Sequence, residues 1–162
     1  MCGVDDILSG AAARAADAAA PGLGARPRRG LAVVSCMDAR IDLFALLGLE
    51  RGDAHIIRNA GGLVTDDVLR SLSASQRLLG TEEVLVIMHE GCGLQGASEA
   101  DFAARLAADG APGGVRLGAF EDLETTLRDG LRRLRSALEL PARDRIRGAI
   151  FEPETGRLRP VA

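Results

Sequence analysis

Two short stretches hold residue types that can do chemistry. In SCMDAR, residues 35–40, Cys36, Asp38 and Arg40 occupy alternate positions; in MHEGCG, residues 88–93, His89 and Cys92 lie three apart. Alternate side chains of an extended chain point the same way, so the first three can share a face. A spacing of three in a helical turn also brings two side chains to one side. Two thiolates and an imidazole are donors that zinc prefers, and zinc takes four ligands in a tetrahedron. Three protein donors leave one position for water, the pattern of a catalytic site. A structural site would need a fourth donor. Cys2 is a poor candidate for it, and His55 is the other histidine.

Plainer accounts exist for the same residues. Free cysteine is among the most buried residue types, so Cys36 can be core. An isolated H-x-x-C arises by chance. Asp38 and Arg40 can form a surface ion pair worth at most ~1 kcal/mol. The alternative is a bidentate pair in which Arg40 keeps the carboxylate off a metal. Asp38 then accepts a hydrogen bond from water on that metal. The pair's position two residues from a candidate ligand favours this alternative.

The elements that must position these residues follow from periodicity. Residues 3–20 are Ala-rich and predict a helix; its side chains are mostly methyl groups, so it should lie against something larger. APGLGARPRRG, residues 20–30, is a Pro/Gly-rich connector, which makes residues 1–30 an arm and linker. Residues 31–162 then form one domain. Apolar runs predict strands at 31–35, 55–58 and 83–88. Between them come a short helix over 42–48 closed by Gly48, and a helix from Thr65 to Gly80. Thr65 is its N-cap, and Val68, Leu72, Ser75 and Leu79 form its inner side. A helix over 98–109 and a loop over 109–118 precede a longer helix over 120–139. Leu123, Leu127, Leu131, Leu134 and Leu138 recur along that helix at helical spacing. Gly130 inside it costs roughly 1 kcal/mol against Ala. Residues 145–161 read as a strand, a PETG turn and a return strand.

Strands alternating with helices predict an α/β fold, a mostly parallel sheet with helices on both faces. Such sheets bind ligands at the C-terminal ends of their strands. CMDAR, RNAGG (58–62) and HEGCG fall after the first, second and third strands, so the fold should gather them.

Composition narrows the function classes. The chain has 162 residues, 47% hydrophobic, with no Trp or Tyr and four Phe, so aliphatic residues must fill the core. All 20 basic residues are Arg, and the net charge is −3 without a dense basic cluster, which argues against a nucleic-acid partner. No apolar stretch reaches membrane-spanning length, and the start lacks a signal-peptide pattern, so a cytoplasmic protein is expected. An odd count of three cysteines suits metal or catalytic use better than disulfides. Neither G-x-G-x-x-G nor G-K-[ST] occurs, which argues against nucleotide binding.

Taken together, C-x-D-x-R at 36–40, RNAGG at 58–62 and H-x-x-C-G at 89–93 resemble the β-class carbonic anhydrases, in the family's order and at about its spacing. The resemblance is strong over residues 30–95. TDDVLRSLSASQRLLG after RNAGG is most similar to the small actinobacterial-type branch. The resemblance implies one zinc per subunit on Cys36, His89 and Cys92, with Asp38 and Arg40 as a catalytic dyad. It implies reversible hydration of CO2 to bicarbonate and a proton by zinc-bound hydroxide, with Ala60, Gly61 and Gly62 beside the CO2 pocket. It further implies an obligate dimer, often paired into tetramers, with the N-terminal helix wrapped on the partner. Two departures stand out: Glu90-Gly91 replaces the polar pair many relatives carry between the ligands, and no Tyr can line the pocket. The same branch resembles hydrolases of carbonyl sulfide and carbon disulfide, which are also linear and attacked at carbon. A non-catalytic zinc module is a third alternative. His55 on a strand is expected to be a satisfied core histidine rather than a proton shuttle.

Overall fold

A computed structural model describes residues 3–162. Cys2, expected to be an unimportant thiol, lies outside the described residues. Five strands form one sheet in the order β2-β1-β3-β4-β5: β1 Leu31–Cys36, β2 Ala54–Asn59, β3 Glu83–His89, β4 Ile146–Glu152 and β5 Arg157–Val161. The first four run parallel, and β5 returns antiparallel beside β4 through the turn at Gly156. Ala32, Val33, Val34, Ser35 and Cys36 are all buried, as a central strand covered on both faces requires.

α4, Asp66–Leu79, and α6, Leu123–Ser136, lie side by side on one face. Val86 pairs with Gly148 in register, and a Cβ on Gly148 would stand 2.7 Å from Leu131 Cδ1, so α6 rests directly on β4. Gly130 has a matching cause: a Cβ there would stand 3.0 Å from Val64 Cγ2. The Gln76 amide is buried yet satisfied, donating to the Ala142 carbonyl (3.2 Å) and accepting from the Ala142 N–H (3.0 Å). The step from β1 to β2 runs along the sheet opposite to the later crossovers. Right-handed connections therefore put α3, Leu43–Leu47, on the other face. Thr65 caps α4 by accepting from the Val68 N–H, and Gly80 ends it in the left-handed region.

Two expectations fail. The helix over 3–20 is not continuous: α1, Val4–Ser9, ends at Gly10, a 3₁₀ turn follows over Ala12–Arg14, and α2 is only Ala15–Ala18. Methyl side chains bury too little to carry a long helix across a glycine. Side chains close the broken ends instead: Arg14 Nη2 donates to the Ile7 carbonyl (3.0 Å), and Arg51 donates to the carbonyls of Asp17, Ala18 and Ala19 at the end of α2. Apart from Gly10, residues 3–26 are exposed, among them Val4, Ile7 and Leu8. The second failure is Leu138, which is 79% exposed. α6 stops at Ser136, and Ala137 is extended (ψ 113°), which turns Leu138 outward and lets Leu140 fill the core in its place.

Candidate metal centre

Cys36 and His89 are the last residues of neighbouring parallel strands, β1 and β3, so the sheet fixes their separation. Cys92 arrives by a tight turn rather than a helical one. Glu90 N–H donates to the Phe151 carbonyl (2.9 Å), and Gly91 takes φ +63°, reversing the chain. Only glycine adopts that backbone without strain. The two sulfurs and a ring nitrogen come within 4.8 Å of one another, and all three residues are buried. A tetrahedral zinc with two S and one N donor needs separations of about 3.5–4 Å, so small adjustments close this set on one ion.

The histidine is oriented for that purpose. Nδ1–H donates to the Glu90 carbonyl at 2.9 Å, which leaves the lone pair on Nε2. His89 is fully buried and, among the described residues, Nε2 has no hydrogen-bond partner. Such an orphaned acceptor is costly in an apolar interior unless it meets a cation or a donor. Burial pushes the Cys92 thiol up, the neighbouring Cys36 raises it further, and the Leu94 N–H opposes both. A dication reverses that balance by binding thiolates. The donor set therefore fits zinc.

Asp38 stands at the rim of this cluster, its Oδ2 3.8 Å from His89 Nε2, beyond hydrogen-bond range. Arg40 holds it bidentately, Nε to Oδ1 at 3.0 Å and Nη2 to Oδ2 at 2.8 Å, and the Arg40 N–H adds a third bond at 2.9 Å. These bonds hold the Asp38 carboxyl well below the usual carboxylate range. Nη2 also reaches the Gly91 carbonyl (3.0 Å), tying the dyad to the turn between the two later donors. Cys36, Asp38 and Arg40 do converge, although the chain leaves the sheet after Cys36 and Met37 points to solvent.

The RNAGG stretch packs directly behind the donors. Ala60–Gly62 form a 3₁₀ turn after β2. Gly62 has φ +66°, and a Cβ there would stand 3.0 Å from both the Cys36 nitrogen and the Ile87 oxygen. The roles of the Arg58 and Asn59 side chains were not foreseen from sequence. Arg58 donates to the Cys36 carbonyl (2.8 Å) and the Asp38 carbonyl (2.7 Å), clamping the segment between donor and dyad. Asn59 brackets the glycine turn through the Leu63 carbonyl (2.8 Å) and N–H (2.9 Å). Polar residues at the end of a strand beside Cys36 were the available signal. Glu90 lines a polar cavity of about 230 Å³ with Arg40, Gly91, Glu152 and Glu154. His55 stays out of the site. It pairs with Ala32, about 13 Å along the sheet from Cys36. Its ring is satisfied by Ser75 Oγ (2.7 Å) and the Ala25 carbonyl (2.9 Å).

The chain is similar to known proteins along most of its length. The family model described as carbonic anhydrase matches residues 31–110. The chain is 39% identical over 139 residues to beta-carbonic anhydrase 1 of Mycobacterium tuberculosis, covering 83% of each chain. It is 33% identical over 159 residues to a carbon disulfide hydrolase of Acidithiobacillus thiooxidans, covering 85% of this chain and 80% of that one. Among solved structures, a carbonic anhydrase from Streptococcus mutans superposes with a TM-score of 0.88 at 38% identity, covering 98% of this chain and 96% of that one. With this fold, this donor cluster and these relatives, the chain belongs to the β-carbonic anhydrase family.

Proposed function

We propose that the protein catalyses the reversible hydration of CO2 to bicarbonate and a proton, with one zinc ion per subunit held by Cys36, His89 and Cys92. The single observation that carries this reading is the orphaned Nε2 of buried His89, which faces two thiols beside the Asp38–Arg40 pair. When bound there, zinc supplies Lewis-acid activation of a water molecule. Asp38, at the rim rather than in the coordination shell and kept ionised by Arg40, would accept a hydrogen bond from that water at its carboxylate and so orient it. Arg40 occupies both Asp38 oxygens and so keeps that carboxylate from closing the site. The turn Ala60-Gly61-Gly62 lets backbone approach a small linear substrate closely. Leu63 and Leu94, half-buried and packed against Gly61, make that side apolar.

The likeness to a carbon disulfide hydrolase supports a second reading, hydrolysis of carbon disulfide or carbonyl sulfide at the same centre. Stopped-flow CO2 hydration, run beside sulfide release from carbon disulfide on zinc-loaded protein, separates the two. Hydration that tracks zinc content supports the first, sulfide release without hydration supports the second, and neither activity supports a non-catalytic zinc module.

The same reading includes assembly and location. Val4, Ile7 and Leu8 are exposed on an arm that its own chain does not cover, which supports a homodimer, or paired dimers, with the arm on the partner. Buried free thiols at Cys36 and Cys92 support a reducing, cytoplasmic setting.

A further inference from the structure

α5, Glu99–Ala108, begins with a carboxylate that has an unusual set of partners. Glu99 Oε1 accepts from the N–H groups of Gly118 (2.7 Å) and Ala119 (3.0 Å), and Oε2 from the N–H of Leu117 (3.0 Å). Three successive backbone donors thus converge on one side chain at the end of a loop, residues 109–118, that is rich in glycine and has little structure of its own. Those donors and nearby Arg116 hold the Glu99 carboxyl below its ordinary range, so the anchor is ionised at neutral pH.

The anchored segment presses on the apolar side of the donor cluster. A Cβ on Gly118, which has φ +79°, would stand 2.8 Å from Leu63 Cδ1, so the loop backbone lies directly on Leu63. Leu63 and Leu94 in turn flank Gly61. Further along, Phe120 donates to the Leu94 carbonyl (3.2 Å) and accepts from the Gly96 N–H (2.8 Å), and the Leu94 N–H favours the thiolate of Cys92, two residues back. One line of contacts runs from Glu99 through Gly118 and Phe120 to Leu63, Leu94 and Cys92.

We propose that Glu99 is a positioning residue: by fixing the backbone of residues 117–119 it sets where Leu63 and Leu94 stand, and so the apolar wall beside the metal centre. Its effect on catalysis rests on the CO2-hydration reading; its effect on the wall does not. Glu99→Gln is the natural probe. It keeps the shape, but its amide nitrogen places a donor opposite a backbone donor. Zinc-loaded full-length protein is expected to show amide exchange at Leu117, Gly118 and Ala119 faster by about 10-fold or more. The methyl resonances of Leu63 and Leu94 should shift, with zinc content unchanged. KM for CO2 should rise about threefold while kcat stays within about twofold, because the wall shapes binding rather than the reacting groups. If Glu99→Gln does not fold, Glu99→Asp, which keeps the charge but shortens the reach to the three N–H groups, should show the same faster exchange, methyl shifts and KM change. Unchanged exchange and methyl resonances overturn the proposal, as does a freed loop with Leu63 and Leu94 unmoved. A parent protein inactive on CO2 overturns the catalytic reading only, since exchange and methyl shifts still decide the role of Glu99.

Discussion

Replacing Gly62 by Ala should damage both stability and the metal centre, and the structure gives the size of the effect. Gly62 has φ +66°, and an L side chain in that left-handed region costs about 1–2 kcal/mol. The added Cβ would also meet the Cys36 nitrogen and the Ile87 oxygen at 3.0 Å and the Ser35 carbonyl carbon at 3.2 Å. All three are backbone atoms of β1 and β3, central strands paired on both sides, so no side chain can swing away. Overpacking of this kind adds about 1–3 kcal/mol. The total, about 2–5 kcal/mol, is a large part of the ~5–15 kcal/mol that a domain has. Gly156 supplies the control. It has φ +74°, and a Cβ added there would meet nothing within 4 Å, so Gly156→Ala should lose only the conformational part, about 1–2 kcal/mol. Urea unfolding of both variants, at equal protein concentration and with zinc chelated, measures the difference. Zinc titration should then show weaker binding for Gly62→Ala alone, because its displaced atoms include the Cys36 nitrogen. Equal losses in the two variants would refute the close-approach argument.

Asp38→Asn should keep zinc content and cut CO2 turnover about 10- to 100-fold, measured by stopped flow; parental turnover would remove Asp38 from the mechanism. His89→Ala should purify without stoichiometric zinc, as elemental analysis reads directly, since it deletes the one orphaned acceptor in the cluster. Arg58→Met leaves the Cys36 and Asp38 carbonyls without their donor and should cost about 2 kcal/mol in urea unfolding while weakening zinc binding. Acid should destabilise the fold through Asp53 and Glu99, both held below the ordinary carboxylate range by backbone N–H groups, with Arg28 adding at Asp53. Depressed folded values mean that their contribution is complete above the unfolded carboxylate range and fades as pH falls toward the folded values. The urea midpoint should therefore drop as pH falls below about 5, and Asp53→Asn should flatten that drop.

The parallel sheet and the clustering of Cys36, His89 and Cys92 were legible in sequence because apolar runs mark the strands and each of the three residues lies at or just past a strand end. β1 and β3 are continuous apolar runs, and Cys36, His89 and Cys92 sit at or just past strand ends, where such sheets collect ligands. Arg58, Asn59 and Glu99 were harder. Their partners are backbone groups of segments 20, 4 and 18 or more residues away, and nothing in an Arg or a Glu side chain announces which carbonyl or N–H it will meet. Leu138 misled because it continued a leucine spacing past the point where Ala137 leaves the helix. The arm misled because alanine propensity favours helix locally, while a lone Ala-rich face has no burial to sustain it across Gly10.

Zinc-edge X-ray absorption on the purified protein, with elemental analysis on the same sample, bears most directly on the central claim. One zinc per chain is expected, with two sulfur neighbours at about 2.3 Å, one nitrogen at about 2.0–2.1 Å and one light atom from solvent. A chain without zinc, or a zinc shell lacking those two sulfurs, would contradict it.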